Sequence, residues 1–160
     1  PDLVERIVKT PERTSGTLGS ASVTPPEARI ASNLGPIAKH FASDELEAIE
    51  ASLEADGGEW AKAELATIRV KSPLSCKVSL RLLAEGAGRE SFADEMTAEY
   101  ALAGRVVRTH DFKEGVRALL IDKDNAPRWN PATPEEVTDE LMDAMFAPLP
   151  DGQKWTPLAE

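Results

Sequence analysis

The sequence predicts an all-α fold, a bundle of about six to eight helices, and three observations support that prediction. Apolar residues recur at spacings of three and four along much of the chain, as they do on one face of a helix. Serine, threonine and proline stand where helices would begin, and glycine stands where they would end. No strand–helix–strand alternation and no internal repeat is visible in the 160 residues.

The N-terminal part of the chain is predicted to be a short helix followed by a linker. Residues 1–8 are compatible with a helix, whereas residues 9–26 are rich in Ser, Thr, Gly and Pro, a composition typical of a long loop. We therefore divide the chain into residues 1–27, a helical C-terminal domain over residues 28–146, and a loosely held tail over residues 147–160.

The first apolar face of the helical domain contains a break. Gly35-Pro36 interrupts it, and an interior proline removes a hydrogen-bond donor and crowds the preceding turn. The pattern predicts either a kinked helix or a new helix that begins at Pro36. The face itself consists of residues spaced four, three and four apart: Ile30, Leu34, Ile37 and Phe41.

Two further helices are predicted after this break. Ser43 is expected to cap the first, which ends near Gly57-Gly58, and the second runs from about Glu59 to Lys71. Their apolar faces are Leu46, Ile49 and Leu53 in the first and Ala61, Leu65 and Ile68 in the second.

Residues 74–82, LSCKVSLRL, give conflicting signals. Apolar and polar residues alternate strictly, which is typical of a strand. Ser72-Pro73, however, places a capping residue before a proline at the first helical position, and Gly86 lies where a helix would end. The caps and the helical surroundings favour a helix.

Three more helices complete the predicted bundle. The first is capped by Ser91 and runs to about Thr109, and the second runs from Phe112 to about Lys123. Thr133-Pro134-Glu135-Glu136 opens the third with a cap, a proline and a glutamate three residues after the cap. The apolar faces are Phe92, Met96, Tyr100, Ala103, Val107 and His110; then Phe112, Val116, Leu119 and Leu120; then Val137, Leu141 and Met145.

The composition disfavours several classes of function. Asp and Glu number 28 against 18 Lys and Arg, and the dispersed cations form no patch for a nucleic-acid backbone. No apolar run exceeds four residues, far short of the roughly 20 that span a bilayer. One cysteine, Cys76, allows no intrachain disulfide and, with only two histidines, makes a Cys/His zinc site implausible. With no signal peptide evident, we expect a cytoplasmic protein.

His110-Asp111 resembles the His-Asp pair of a metal phosphohydrolase, but such a site needs further His and Asp ligands. Asp111-x-x-Glu114 is also a capping-box pattern, in which each residue satisfies backbone N–H groups at a helix start. His110 suits the negative end of the preceding helix. We therefore predict a helix junction at this pair and no metal site.

Five other residues invite a chemical interpretation. Glu99 lies within an apolar face and is expected to pair with a cation of a neighbouring helix. Cys76 is expected to be a small buried residue, because no nucleophile motif surrounds it. Lys123 and Arg128 leave the end of a helix beside Trp129, and such a cluster could hold a phosphate and stack a purine. Packing over the edge of the core is the favoured role for Trp129.

Three long stretches resemble one known family. SPLSCKVSLRLL at 72–83, EYALAGRVVRTHDFKEGVRALLIDKDNAPRWNP at 99–131 and EEVTDELMDAMF at 135–146 are similar to the C-terminal end of 3-hydroxyisobutyryl-CoA hydrolases. These enzymes belong to the enoyl-CoA hydratase/isomerase (crotonase) superfamily. The resemblance, over residues 28–147, implies the C-terminal helical part of a crotonase-type enzyme whose β-β-α core and catalytic groups would precede residue 1.

The resemblance also implies a function. The longer enzyme would hydrolyse a short branched acyl-CoA thioester of valine catabolism, without a cofactor, since CoA is part of the substrate. No residue here matches the family's catalytic motif, and Lys123 and Arg128 are the positions best placed to approach the CoA nucleotide. The expected partners are the chain's own N-terminal core, the acyl-CoA substrate and a second copy in a homo-oligomer, with neither nucleic acid nor a membrane. Another crotonase reaction, such as hydration or isomerisation, and a stand-alone helical interaction module remain open.

Overall fold

A computed structural model describes residues 2–28 and 30–156, and all regular structure in them is helical. The predicted all-α class is confirmed: nine α-helices and no strand are found in these two ranges. None of these helices has the length and apolar character needed to cross a membrane. The helices are α1 Leu3–Lys9, α2 Thr14–Ala21, α3 Leu34–His40, α4 Leu46–Asp56, α5 Glu59–Arg69, α6 Pro73–Gly86, α7 Phe92–Val106, α8 His110–Val116 and α9 Asp139–Phe146.

The chain forms two compact units, Pro1–Gly35 and Pro36–Glu160. In the first unit, the predicted linker 9–26 contains helix α2, so that part of the linker prediction was wrong. Arg6 of α1 donates a hydrogen bond to Ser20 Oγ of α2 at 2.9 Å. Pairing with a neighbouring helix stabilises a segment whose glycines would leave it weak in isolation. The domain boundaries at 27 and 147 stay predictions.

Helices α4 and α5 form a helical hairpin around the predicted Gly57-Gly58 turn. Gly57 has a φ of 65°, the left-handed conformation that glycine adopts readily, and its N–H donates to the Leu53 carbonyl at 3.3 Å. The predicted N-cap was wrong, because α4 begins after Glu45. Ser43 instead accepts a hydrogen bond from the Glu45 N–H at 3.1 Å and shapes the preceding turn.

The ambiguous segment 74–82 lies in a helix, α6, as its caps predicted. Ser72 Oγ accepts from the Ser75 N–H at 3.0 Å, and Pro73 occupies the first turn. The alternating pattern has a physical cause: Leu74 and Val78 belong to one apolar cluster, whereas Leu80 packs against another. A helix buried on two sides carries apolar residues at positions that mimic a strand.

Two apolar clusters make up the core of the second unit. One joins the α4–α5 hairpin to α6, and its Leu53 and Ile49 are almost fully buried. The other joins α6, α7 and α9. The buried members of the first are Ile49, Leu53, Ala61 and Leu65, and those of the second are Leu74, Val78, Leu102, Val137, Met142 and Met145.

The predicted apolar face of α7 was wrong. Leu102 is the residue of α7 that is buried, whereas Phe92, Tyr100 and Val107 are 78%, 50% and 46% exposed. The helix therefore packs on α9 through another side and turns its aromatic residues to solvent. An amphipathic pattern identifies an apolar face but not the surface that covers it.

Helix α9 also begins later than its sequence predicted. Residues Pro134–Glu136 form a separate 3₁₀ turn, and Thr138 caps α9 by accepting a hydrogen bond from the Leu141 N–H at 3.2 Å. Two successive threonines, Thr133 and Thr138, both precede acidic residues, so the local pattern alone did not distinguish them.

Candidate functional site

A helix junction is present in this region, but it lies before His110: that residue, predicted to end the preceding helix, begins α8 instead. Helix α7 ends at Val106, and α8 begins at His110. Thr109 caps α8, because its Oγ1 accepts a hydrogen bond from the Phe112 N–H at 3.1 Å. The predicted capping box of Asp111 and Glu114 was therefore wrong, and both carboxylates are available for other contacts.

The Asp111 carboxylate is buried and joins three segments of the second unit. Its Oδ2 accepts a hydrogen bond from the Ser72 hydroxyl at 2.5 Å, at the start of α6. Its Oδ1 accepts from the Asn130 N–H at 2.8 Å. Ser72 also caps α6, as predicted, so one hydroxyl serves both the helix and the carboxylate. Each oxygen of the buried charge has a partner, as burial requires.

His110 and Glu114 bind the same downstream segment. Glu114 Oε1 accepts a hydrogen bond from the Arg128 N–H at 2.8 Å, and His110 Nε2 lies 2.9 Å from the Arg128 carbonyl oxygen. Together with Asp111, these side chains hold the backbone of residues 128–130 against α8. We call the three side chains His110, Asp111 and Glu114 the α8 latch.

Arg117 lies at the centre of a charged network. Its Nε and Nη2 donate to the two oxygens of Glu114 at 2.9 and 2.8 Å, a bidentate contact. Its Nη1 donates to Asp122 and to Asp124, each at 2.7 Å. Its Nη2 also reaches the Ala126 carbonyl at 3.3 Å. The guanidinium thereby connects the end of α8 to the loop that follows.

That loop, residues 122–130, has an unusual backbone. Arg117–Ile121 form a π-helical turn, after which Lys123 and Asn125 adopt positive φ values of 56° and 52°. Left-handed conformations of non-glycine residues cost on the order of 1–3 kcal/mol and persist only where the surroundings fix them. Here the Asn125 N–H donates to the Ala118 carbonyl at 3.1 Å. The loop is therefore held in one conformation.

Lys123 and Arg128, the predicted CoA-contacting residues, both lie on the 122–130 loop. Both are exposed, and neither charged group belongs to an ion pair within the described ranges 2–28 and 30–156. Trp129 packs: its indole N–H donates to the Val70 carbonyl at 3.0 Å, and its ring lies 3.5 Å from where a Cβ on Gly115 would be. A surface cleft of about 680 Å³ adjoins this loop, lined among others by Lys71, Pro127 and Trp129.

The other candidate residues are structural or exposed. Cys76 is half-buried, and burial raises the pKa of its thiol, with a smaller contribution from Glu50. Glu99 is exposed and pairs with no cation of the described chain, so its predicted ion pair was wrong. His40 is buried, with Nδ1 2.8 Å from Ser52 Oγ and its ring beside Trp60. In the part of the chain that the structure describes, no cluster of three or more His, Cys, Asp or Glu could hold a metal.

The hydrogen bonds to Glu114 predict a pH dependence of stability. The pKa of Glu114 is lowered from 4.5 to about 2, mainly by the hydrogen bonds from Arg117 and to a smaller extent by the hydrogen bond from the Arg128 N–H. A carboxyl whose pKa is lower in the folded chain stabilises the fold above its unfolded pKa, and this contribution is lost as the pH falls from about 4.5 towards 2. As the pH falls from about 4.5 towards 2, the free energy of unfolding should decrease less in Glu114→Gln than in the wild type. Urea denaturation at several pH values measures this difference.

The control for this measurement is Glu99→Gln, which removes an exposed carboxyl without a cation partner in the described chain. It should retain the acid dependence of the wild type. Equal acid dependence in the wild type and Glu114→Gln would contradict the prediction.

Comparisons with known proteins agree with the resemblance noted in the sequence. The family model described as enoyl-CoA hydratase/isomerase matches residues 1–146. The chain is 49% identical over 109 residues to the mitochondrial 3-hydroxyisobutyryl-CoA hydrolase of Gallus gallus, covering 68% of this chain and 28% of the relative. It is 42% identical over 109 residues to that of Homo sapiens, with the same coverage. The chain thus spans less than a third of the curated relatives it matches.

Two solved structures have a similar fold. A carnitinyl-CoA dehydratase from Mycobacterium thermoresistibile has a TM-score of 0.84 and 28% identity, over 93% of this chain and 42% of that chain. An enoyl-CoA hydratase from Rhodobacter sphaeroides 2.4.1 has a TM-score of 0.75 and 32% identity, over 91% of this chain and 44% of that chain.

The curated relatives are mitochondrial by name, which contradicts the cytoplasmic location predicted from the sequence. That prediction was wrong because a lone cysteine indicates only that no intrachain disulfide forms, and does not distinguish one reducing compartment from another. The family match covers 146 of the 160 residues, which include all of the first compact unit and most of the second. The chain belongs to the enoyl-CoA hydratase/isomerase family.

Proposed function

We propose that this chain is the helical C-terminal region of an acyl-CoA thioester hydrolase that acts on 3-hydroxyisobutyryl-CoA in valine catabolism. The observation that carries the proposal is the similarity, at 42–49% identity, to hydrolases named for that substrate. The reaction adds water to the thioester carbonyl and releases the free acid and the CoA thiol. CoA is part of the substrate, and we propose that no further cofactor takes part.

The catalytic groups would belong to a core that this chain covers. We assign no catalytic residue to the chain, because the oxyanion-hole donors and carboxylates that the family resemblance implies lie outside it. The physical support for a covering role is the apolar surface of α7, α8 and the π-helical turn. Leu120 and Ile121 are 68% and 69% exposed, next to a third exposed residue, Leu119. Contiguous exposed apolar residues are typical of surfaces that another protein surface covers.

Lys123 and Arg128 are proposed to contact the phosphates of the CoA nucleotide. The chain carries a formal net charge of −10, so its general field repels an anion. Two exposed cations without carboxylate partners in the described residues, on a loop held in one conformation, offset that repulsion locally. Arg and Lys bind phosphate oxygens through charge-assisted hydrogen bonds.

Kinetics of the full-length enzyme test the substrate and the site together. We expect hydrolysis of 3-hydroxyisobutyryl-CoA, and we expect Arg128→Ala to raise KM about fivefold, equivalent to about 1 kcal/mol of binding, with kcat nearly unchanged. Lys123→Ala should act in the same direction. The CoA phosphates lie far from the reacting carbonyl, so a lost phosphate contact weakens binding of the substrate and of the transition state equally. Such a loss raises KM and leaves kcat unchanged.

Lys62→Ala is the control, since Lys62 is exposed on α5 and its one ion pair within residues 2–28 and 30–156 is a 3.8 Å contact with Glu59. An unchanged KM in Arg128→Ala and Lys123→Ala would remove the proposed CoA contact. Hydration of an enoyl-CoA without thioester hydrolysis would instead assign the protein to another reaction of the family. Absence of both activities, with binding of a protein partner, would favour a helical interaction module.

A further inference from the structure

We infer that Arg117 is the positioning residue that presents Lys123 and Arg128 to an anionic ligand, the phosphate groups of the CoA nucleotide. This inference rests on the proposed function and adds to it a residue that itself contacts no substrate. Three features of the 122–130 loop support it: all N–H donors of the guanidinium are used, its contacts lie on both sides of the two cations, and it occupies the carboxylates next to Lys123.

The Arg117 guanidinium uses its full donor capacity within the protein. Arginine has five N–H donors in a rigid planar arrangement. Nε donates one hydrogen bond to Glu114, Nη1 donates to Asp122 and Asp124, and Nη2 donates to Glu114 and the Ala126 carbonyl. Its side chain is about two-thirds buried. Arg117 is therefore committed to the loop.

The contacts of Arg117 bracket both exposed cations. Lys123 lies between Asp122 and Asp124, and both of those carboxylates bind Arg117 at 2.7 Å. Arg128 follows the Ala126 carbonyl that Arg117 contacts, and its own N–H donates to Glu114, which Arg117 holds in a bidentate contact. The guanidinium thus fixes the backbone on each side of the residues that would bind phosphate.

Arg117 also occupies the two carboxylates that are nearest to Lys123 in the sequence. Asp122 and Asp124 are the sequence neighbours of Lys123 and would be natural partners for its ammonium group. Both carboxylates are instead occupied by Arg117, whose hydrogen bond is the largest cause of the lowered pKa of Asp124. An ammonium group that has neither of these carboxylates as its partner keeps its N–H donors for a phosphate.

The test uses the full-length enzyme with Arg117→Lys, which keeps the charge and most of the stem. Lysine has a compact ammonium group with three donors and cannot bridge five acceptor atoms on four residues. We expect the Kd for CoA, measured by calorimetry, to rise about five- to tenfold, equivalent to about 1–1.4 kcal/mol. KM for the CoA thioester should rise similarly, while kcat and KM for the matching pantetheine thioester, which lacks the nucleotide, stay unchanged.

The pantetheine thioester separates positioning from a general structural role. If Arg117→Lys impairs both thioesters alike, Arg117 is a structural residue and the inference is overturned. If the double variant Lys123→Ala/Arg128→Ala weakens CoA binding but Arg117→Lys does not, the phosphate contact stands and the positioning role fails. If neither changes the Kd for CoA, the proposed site fails. Weaker CoA binding in both variants supports the inference. If the enzyme then hydrolyses no 3-hydroxyisobutyryl-CoA, only the proposed reaction is refuted and the inference stands.

Discussion

Replacement of Asp111 by alanine is expected to lower the free energy of unfolding by about 3–5 kcal/mol. The carboxylate is buried and accepts hydrogen bonds from the Ser72 hydroxyl and the Asn130 N–H. Each hydrogen bond to a charged group contributes about 1.5–3 kcal/mol, and alanine leaves both donors without their acceptor. Ser72 is the cap of α6 and Asn130 ends the 122–130 loop, so the substitution should destabilise two segments that are distant from Asp111 in the sequence.

Chemical denaturation of the 160-residue chain measures this effect. Asp111→Asn should cost less than alanine, since its amide oxygen can still accept from the Asn130 N–H. Asp44→Ala is the matched control, because Asp44 is exposed, and it should change stability by less than about 0.5 kcal/mol. A loss below about 1 kcal/mol for Asp111→Ala would show that the latch contributes little to folding.

The second large effect is expected for Leu120→Glu, and it should depend on the length of the protein. In the isolated chain Leu120 is 68% exposed, and glutamate is nearly as good a helix former as leucine, so stability should change by less than about 0.5 kcal/mol. In the full-length enzyme the proposed core would cover this position. A charge buried there without a partner should then cost several kcal/mol and reduce kcat.

Thermal unfolding of both proteins, with and without the substitution, checks the contrast. Leu120→Met keeps the apolar character and approximate volume and should be tolerated in both, at a cost below about 1.5 kcal/mol. If Leu120→Glu were as harmless in the full-length enzyme as in the isolated chain, the π-helical turn would not face the core. The proposed covering surface would then have to lie elsewhere.

Local capping signals predicted three helix boundaries and failed at three others, those assigned to Ser43, Asp111 and Thr133. Ser72 and Ser91 cap α6 and α7 as expected, and Gly57 ends α4 in the left-handed conformation. At residues 74–82, Ser72-Pro73 was a better guide than the alternating pattern, since caps act on the backbone whatever lies beside the helix. The resemblance of residues 28–147 to one family agrees with the family match.

Long-range contacts could not be predicted in the same way. Asp111 satisfied a capping pattern locally, yet its partners are Ser72, 39 residues before it, and Asn130, 19 residues after it. A carboxylate at the start of a helix has the same sequence signature in both roles. Likewise the five contacts of Arg117 depend on a π-helical turn and on two positive φ values, which no periodicity encodes.

The α8 latch has a consequence for how the ligand of the proposed CoA-contacting loop could change. Glu114 and His110 hold Arg128 by its backbone N–H and carbonyl, and Asp111 holds Asn130 by its N–H, so the fastening does not involve the side chain at position 128. The backbone of residue 128 thus holds the loop in place, and its side chain is left to determine which ligand binds. Position 128 can exchange side chains and explore other ligands at little cost to stability, with proline as the exception, since it lacks the N–H that Glu114 binds.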